Sequence, residues 1–215
     1  MKLHARYIMI VLMVIVLAGG CRTAYYGTME KFGIEKRHLL RDNVQKAQKE
    51  QQEASEEFKD VLTRIKELYG FDGGDLEKAY RKLKGDYEDC ESRSDAVKRR
   101  IKNVEQIASD LFNEWEQEIN EMNNQTLRQK SYESLHTTRQ RYARLHDVMV
   151  RAESKLDPVL VQVRDYVLYL KHNLNAQAVG ALRQEVDSIE IEVEALIRDM
   201  QRSIQEAETF LADFE

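Results

Sequence analysis

The sequence predicts an all-α fold, an elongated antiparallel bundle of four long helices with coiled-coil-like packing. Three observations predict it. The 215 residues include one Pro and nine Gly, too few breakers for a sandwich, a barrel or a βαβ protein, which need many turns. Charged residues make up 33% and aromatics 8%, the composition of long helices. Apolar residues recur at alternating spacings of three and four through four segments, a period that a disordered chain has no reason to keep.

The first stretch reads as a targeting segment and stands outside the fold. Lys2 and Arg6 form a positive start, and Ile8 to Ala18 is an apolar run too short to span a bilayer as a helix. Gly19 and Gly20 then precede Cys21. Small residues and a Cys closing an apolar run resemble the lipobox of bacterial lipoproteins, although Ala18 stands where that motif usually has Leu, and Leu17 lies one place earlier. The resemblance implies cleavage before Cys21 and acylation of the new terminus. An ordinary signal peptide with a Cys nearby is the competing reading. On the first reading residues 1–20 are a signal peptide, 21–34 an anchor and membrane-proximal segment, and 35–215 the bundle. Removing Lys2 and Arg6 leaves 31 basic against 38 acidic residues, a net charge of −7. That balance argues against nucleic acid as a partner, which needs a basic excess, and weakens broad binding to anionic lipid.

The first helix, about 35–69, carries the seam Leu40, Val44, Ala47, Ala54, Phe58, Val61, Ile65 and Leu68, with Gln51 at one intervening site. The second, about 75–123, carries Leu76, Tyr80, Leu83, Tyr87, Cys90, Val97, Ile101, Val104, Ala108, Leu111, Trp115 and Met122. The third, about 126–173, carries Leu135, Thr138, Tyr142, Leu145, Met149, Ala152, Leu156, Val159, Val163, Tyr166 and Leu170. The fourth, about 177–213, carries Leu182, Val186, Ile189, Val193, Leu196, Met200, Ile204, Ala207 and Leu211. Each helix has one stripe to bury, so the helices must pack on one another. Between them lie Gly70–Asp75, Asn123–Thr126 and Asn173–Asn175, with Gly70 suited to a left-handed C-terminal cap and Asp75 to an N-cap. Short connections imply antiparallel neighbours.

Folding the second and third segments back about residue 124 sets Glu121 near Arg128, Asp110 near Arg139 and Glu105 near Arg144, a charge pattern that favours the antiparallel register. The same test on the first two segments gives no clear complementarity, so their pairing rests on the short loop. Pro158, the single proline, lies inside the third seam. It reads as a kink, because the seam continues across it; a break with Asp157 as cap and Pro158 as first helical residue is the alternative.

From Tyr25 to the end the chain resembles a proteobacterial lipoprotein family catalogued as domain of unknown function 2959. The resemblance is carried by Tyr25-Tyr26-Gly27, Met29-Glu30-Lys31, Gly33-Ile34, Phe71-Asp72-Gly73-Gly74-Asp75-Leu76-Glu77, Tyr87-Glu88-Asp89, Trp115 with its flanking acids, Pro158-Val159-Leu160 and Leu170-Lys171-His172-Asn173-Leu174-Asn175-Ala176. It implies an exported helical lipoprotein. It implies no activity, and no functional residue can be carried over from it.

The residues themselves offer little chemistry. The two acids of Gly70–Asp75 do not match an EF-hand loop and read as a turn and cap. No two of His4, His38, His136, His146 and His172 lie four residues apart, so no helix face offers a two-His metal site. Cys90 lies on a seam and reads as a small buried hydrophobe. No Gly-rich phosphate loop and no GxSxG elbow occurs. Tyr80, Tyr87, Trp115, Tyr142 and Tyr166 read as core, whereas Tyr25 and Tyr26 follow the anchor and suit a membrane interface. Lys98, Arg99, Arg100 and Lys102 are the candidate lipid-binding patch, but consecutive helical residues diverge, and a solvated face is the plainer reading.

The expectation is a non-catalytic envelope lipoprotein acting as a structural or protein-interaction scaffold, lipidated at Cys21, with no catalytic residue, no metal and no cofactor. Its partners would be the membrane, through the lipid, and an unidentified envelope protein, with self-association open and nucleic acid excluded. The rival is a membrane-shaping helical module. Arg22 after Cys21 resembles lipoproteins sent to the outer membrane, facing the periplasm. Cys21→Ser is expected to release the chain from membranes or leave it unprocessed. Palmitate labelling of the variant checks this, and label that survives the change removes the lipobox reading.

Overall fold

The computed structural model describes residues 36–69, 75–174, 180–182 and 186–214. Five helices make up nearly all of them: α1 (Lys36–Tyr69), α2 (Leu76–Glu121), α3 (Gln125–Ser154), α4 (Leu156–His172) and α5 (Val186–Asp213). No strand occurs among the described residues. The fold is the all-α antiparallel bundle that the seams predict, with the third member interrupted once. Around the bundle α1 lies between α2 and α5, and the α3–α4 rod lies between the same two, so the helices occupy the corners of a square. Lys66 pairs with Glu190 and Gln48 donates to Glu208 at 3.1 Å, which sets α5 antiparallel to α1 and closes the ring.

The core follows the stripes. In α1 every seam position from Leu40 to Leu68 is buried, Gln51 included. Along α3 and α4 the buried set is Leu135, Leu145, Met149, Ala152, Leu156, Val159, Leu160, Val163, Tyr166, Val167 and Leu170, with the expected Thr138 and Tyr142 half-buried. Two corrections concern phase. Past Met200 the core runs through Ser203, Ala207, Phe210 and Phe214, while the expected Ile204 and Leu211 are half-buried. On α2 Ile119 is buried and the expected Met122 half-buried. Along α5 the buried positions keep the strict three-and-four alternation through Val193, Leu196, Met200, Ser203, Ala207, Phe210 and Phe214, so Ile204 and Leu211 fall one place off it; on α2 the step to Ile119 is the drift of a 3.6-residue helix against a 3.5-residue pattern.

Helix ends follow local chemistry. Asp75 caps α2 by accepting from Lys78 N at 2.9 Å, and Asn124 caps α3 by accepting from Leu127 N at 3.1 Å. Gly70 to Gly74 lie outside the described residues. Pro158 has no N–H, so the carbonyl of Ser154 loses its partner four residues on. The chain tightens there: Lys155 N donates to Ala152 O at 3.3 Å, and Lys155 is the single joint residue between α3 and α4. Asp157 is not the cap; it lies in the first turn of α4, and Pro158 follows it inside the helix. Buried Ala152, Leu156 and Val159 carry the seam across the joint.

Four polar side chains are buried at one level of the core. Ion pairs Arg64–Asp86 and Lys36–Glu114 are symmetric about residue 75, which brings Ser55 of α1 level with Ser94 of α2. The α1–α5 pairs are symmetric about residue 128, which places Ser203 between the levels of Gln51 and Ser55. Gln51 Nε2 and the hydroxyls of Ser55, Ser94 and Ser203 have no protein partner. Beside them the joint residue Lys155 pairs with Asp199, whose carboxylate is almost fully buried, and Arg202 approaches the same group at 3.7 Å.

Fully buried Leu196 tests the seam. Leu196→Asp is expected to lower stability by roughly 4 kcal/mol or more, through lost packing and an unpaired buried carboxylate. Ser203→Ala is expected to be neutral or stabilising, because it removes an unpaired buried hydroxyl. The control is Gln201→Ala at an exposed site. Thermal melts of the three variants check both statements.

Candidate functional site

The feature that stands out from the regular bundle is its near end, where α1 starts and α5 finishes. Lys36, the first described residue of α1, pairs with Glu114 of α2. Asp213, the last residue of α5, faces Arg141 of α3 at 3.6 Å. Beyond these levels, among the described residues, α2 and α3 continue as a two-helix arm that turns at 122–124. The arm outruns the four-helix section by two to three turns, roughly 12 to 18 Å.

Register alone assembles the base of the arm. Arg37 donates to the Phe214 carbonyl from Nε and Nη2, at 3.2 and 2.7 Å, and its guanidinium lies 5.0 Å from the Phe214 ring centre. Arg141 donates to the Asp213 carbonyl at 3.1 Å. Two arginines from other helices thus satisfy the last carbonyls of α5, where the helix dipole is negative. Phe214 stacks on Phe210 at 4.9 Å, and Tyr142 meets both Phe210 and Phe112 edge-on. Burial, with Glu105 as the lesser cause, pushes the Tyr142 hydroxyl well above its ordinary pKa. Arg139 pairs with Glu116 at 2.7 Å and donates to the Phe112 carbonyl at 3.3 Å.

Two clefts open here. One, of about 470 Å³, has a floor of Leu111, Trp115 and Phe214 and a rim of Lys36, Arg37, Glu114 and Glu118. The other, of about 590 Å³, shares Arg37 and Trp115 and is edged by Lys130, Glu133, Thr137 and Arg141. Trp115 between them is half-buried and donates to Ser131 Oγ at 2.9 Å. An apolar floor inside a ring of paired charges suits an apolar side chain or a peptide edge. Among the described residues no group of three His, Cys, Asp or Glu is placed to hold a metal ion, and no helix is long and apolar enough to cross a membrane.

The residues singled out in the sequence are dispersed. Cys21, Tyr25, Tyr26 and Gly33 lie outside the described residues. Cys90 is fully buried, and burial first, then the acids Glu57 and Asp86, drive its thiol pKa far up, which leaves it protonated and unreactive. The basic cluster does not form one surface. Lys98 pairs with Asp157 of α4 while Arg100 reaches Glu50 of α1 at 3.8 Å, and Arg99 and Lys102 are exposed. Of the pairs expected across α2 and α3 the antiparallel sense is right and the partners differ. His146, not Arg144, meets Glu105 at 2.7 Å; Arg144 turns to Glu206 of α5 at 3.6 Å; Asp110 is buried and accepts from Gln106 at 3.2 Å. The α1–α2 face has the complementarity that the sequence did not reveal: Arg64–Asp86, Lys36–Glu114, and Arg93 against Glu53 and Glu57. Three of these four pairs centre on residue 75 rather than on the middle of the loop, and folding about that point would have found them.

A family model described as protein of unknown function (DUF2959) matches residues 25–214. No curated protein and no solved structure matches the chain.

Arg37→Ala is expected to free the last turn of α5, at a cost of about 1 to 2 kcal/mol for two lost charge-assisted bonds. Faster amide exchange confined to residues near Phe214, with a melting temperature lowered by a few degrees, is the expected readout.

Proposed function

We propose, from the premise that the chain belongs to the DUF2959 family of proteins of unknown function, that it works without catalysis, as a lipid-anchored scaffold of the cell envelope. Cys21 would tether the near end to the outer membrane on its periplasmic side. The far end, about 50 Å away along the 34 residues of α1, would meet an envelope protein.

The observation that carries this reading is the placement of exposed apolar side chains. Of the eight exposed large apolar side chains among the described residues, Val161, Leu168 and Tyr169 of α4, Leu174 just after it, and Ile191 of α5 belong to the far half, while Leu127, Tyr132 and Val150 belong to α3. Ile191 alone keeps 63% of its surface in water. Val161 and Leu168, seven residues apart, share one face of α4. Exposed apolar surface concentrated on one part of a molecule marks an interaction site. The flat, membrane-shaping alternative draws less support, because Lys98 and Arg100 are held in ion pairs on different helices and the chain without residues 1–20 carries an acidic excess.

Crosslinking in intact envelopes tests the reading. The full chain is expected to yield a discrete adduct with one protein, and Val161→Glu combined with Leu168→Glu is expected to abolish it while leaving the melting temperature unchanged. An adduct indifferent to that change would overturn the far-end site. Salt-sensitive sedimentation with anionic vesicles, lost when Lys98, Arg99 and Arg100 become Glu, would overturn the scaffold in favour of the membrane-shaping module.

A further inference from the structure

We propose that a second copy of this chain covers the exposed face of α4, the two bundles standing side by side and parallel about a two-fold axis. The inference rests on the reading that a protein covers this face, and it names that protein.

The face is a second seam on the α3–α4 rod. Val150, Val161 and Leu168 are exposed by 37%, 47% and 46%. Their spacings of eleven and seven add to about five whole turns of helix. The three side chains therefore stand within about 20° of one line, about 27 Å long, that runs along the rod. The joint at Lys155 does not disturb the line, because the buried seam crosses it in phase. On the opposite side of α4, Val163, Tyr166 and Leu170 are buried.

Charge identifies the occupant. Between Val161 and Leu168 stand Arg164 and Asp165, both exposed. At the helical pitch they lie about 50° to either side of the apolar line. Neither has an opposite charge three or four residues away on its own helix, and neither has an ion-pair partner among the described residues. The helix thus presents an apolar line with a cation on one flank and an anion on the other, at the same level. A two-fold axis parallel to the rods carries one flank of a helix to the opposite flank of its partner. Each Arg164 then faces the partner's Asp165, while Val150, Val161 and Leu168 each meet their own copies. An antiparallel two-fold would set Arg164 against Arg164 and Asp165 against Asp165. Like charges so placed are unfavourable, so the face selects the parallel arrangement. Parallel copies also keep both near ends on one side, as two tethers in one surface require.

A contact along one helix is small among specific interfaces, so association is expected at roughly micromolar concentrations and is strengthened when both copies are confined to one membrane.

Sedimentation of the full chain in detergent micelles, over a range of concentrations, tests the proposal. The chain is expected to be a dimer at the upper end, and Val161→Glu combined with Leu168→Glu to be a monomer throughout. Arg164→Asp is expected to weaken the dimer at least about ten-fold, and addition of Asp165→Arg to restore it. These positions are exposed, so the melting temperature is expected to stay unchanged. Direction is read from introduced cysteines: Val161→Cys and Leu168→Cys are each expected to link to their own copies under mild oxidation, beyond any linkage of the parent chain. Linkage that needs the two variants mixed would mean antiparallel copies and overturn the proposal. A chain monomeric at every concentration, or a double charge reversal that restores nothing, would overturn it as well. The scaffold reading fails separately. A monomeric chain that still forms an envelope adduct with another protein keeps the scaffold and removes the dimer, whereas the salt-sensitive vesicle binding described above would remove the scaffold and leave the dimer standing.

Discussion

Every helix in this chain has one apolar stripe and three polar faces, so none has a stable place except against the others. Everything else depends on that shared burial. Because α5 closes onto α1, the stripes converge on a common interior, and side chains as large as Phe58 and Phe210 lose all contact with water. The interhelical ion pairs are secondary. Most join partly exposed groups, where a pair contributes up to about 1 kcal/mol. They choose among registers that the stripes already permit, and the symmetry of the α1–α2 pairs about residue 75 shows one register chosen consistently along the length of α1.

Midway along, the interior departs from that plan. Gln51, Ser55, Ser94 and Ser203 place polar atoms without protein partners at one level, and unmet buried polar groups destabilise a fold. Small side chains let helices approach closely, and a level wide enough for water would satisfy the hydroxyls. At the same height Pro158 removes one backbone hydrogen bond and Lys155 swings into a joint. Its ammonium then pairs with Asp199, a buried carboxylate that Arg202 of the same helix also approaches at 3.7 Å. The break in the third helix thus helps to support the buried acid of α5, and losing Lys155 leaves that carboxylate with Arg202 alone, whereas Lys155, partly exposed, stays solvated without it.

The stripes were legible because burial imposes a spacing that a sequence shows directly. So was the N-cap at Asp75, which needs only a local side chain and a backbone N–H; Asn124 caps α3 by the same chemistry, although the sequence shows it only as part of a break. The misreadings have separate causes. Ile204 and Leu211 read as core for their apolar character, although the heptad spacing falls on Ser203, Ala207, Phe210 and Phe214; Arg144 in place of His146 at Glu105 comes from ignoring that helical side chains lean toward the N-terminus. The near-end clefts were invisible for a different reason. Their walls come from Lys36–Arg37, Leu111–Glu118, Lys130–Arg141 and Phe214, stretches far apart in sequence and joined only by register. No motif announces such a place, since its residues are ordinary core and surface types until the helices align.

The two ends of the bundle differ in chemistry, and the joint at Lys155 lies between the regimes. α3 exposes Leu127, Tyr132 and Val150 over 30 residues, whereas the 17-residue α4 exposes Val161, Leu168 and Tyr169. A continuous helix would carry its outer face round at a constant pitch, and the seam crosses the joint without losing phase. The change of character is therefore in the sequence of the outer face and not a by-product of rotation. The near end directs arginines to the α5 carbonyls and to paired acids, while the far half holds five of the eight exposed large apolar side chains among the described residues. A free-standing bundle gains nothing from that asymmetry, since the exposed valine, leucine and isoleucine raise its free energy and its tendency to aggregate. It becomes favourable once something covers the far half, which is why the apolar surface of α4, rather than the charge of the rod, indicates where a partner binds.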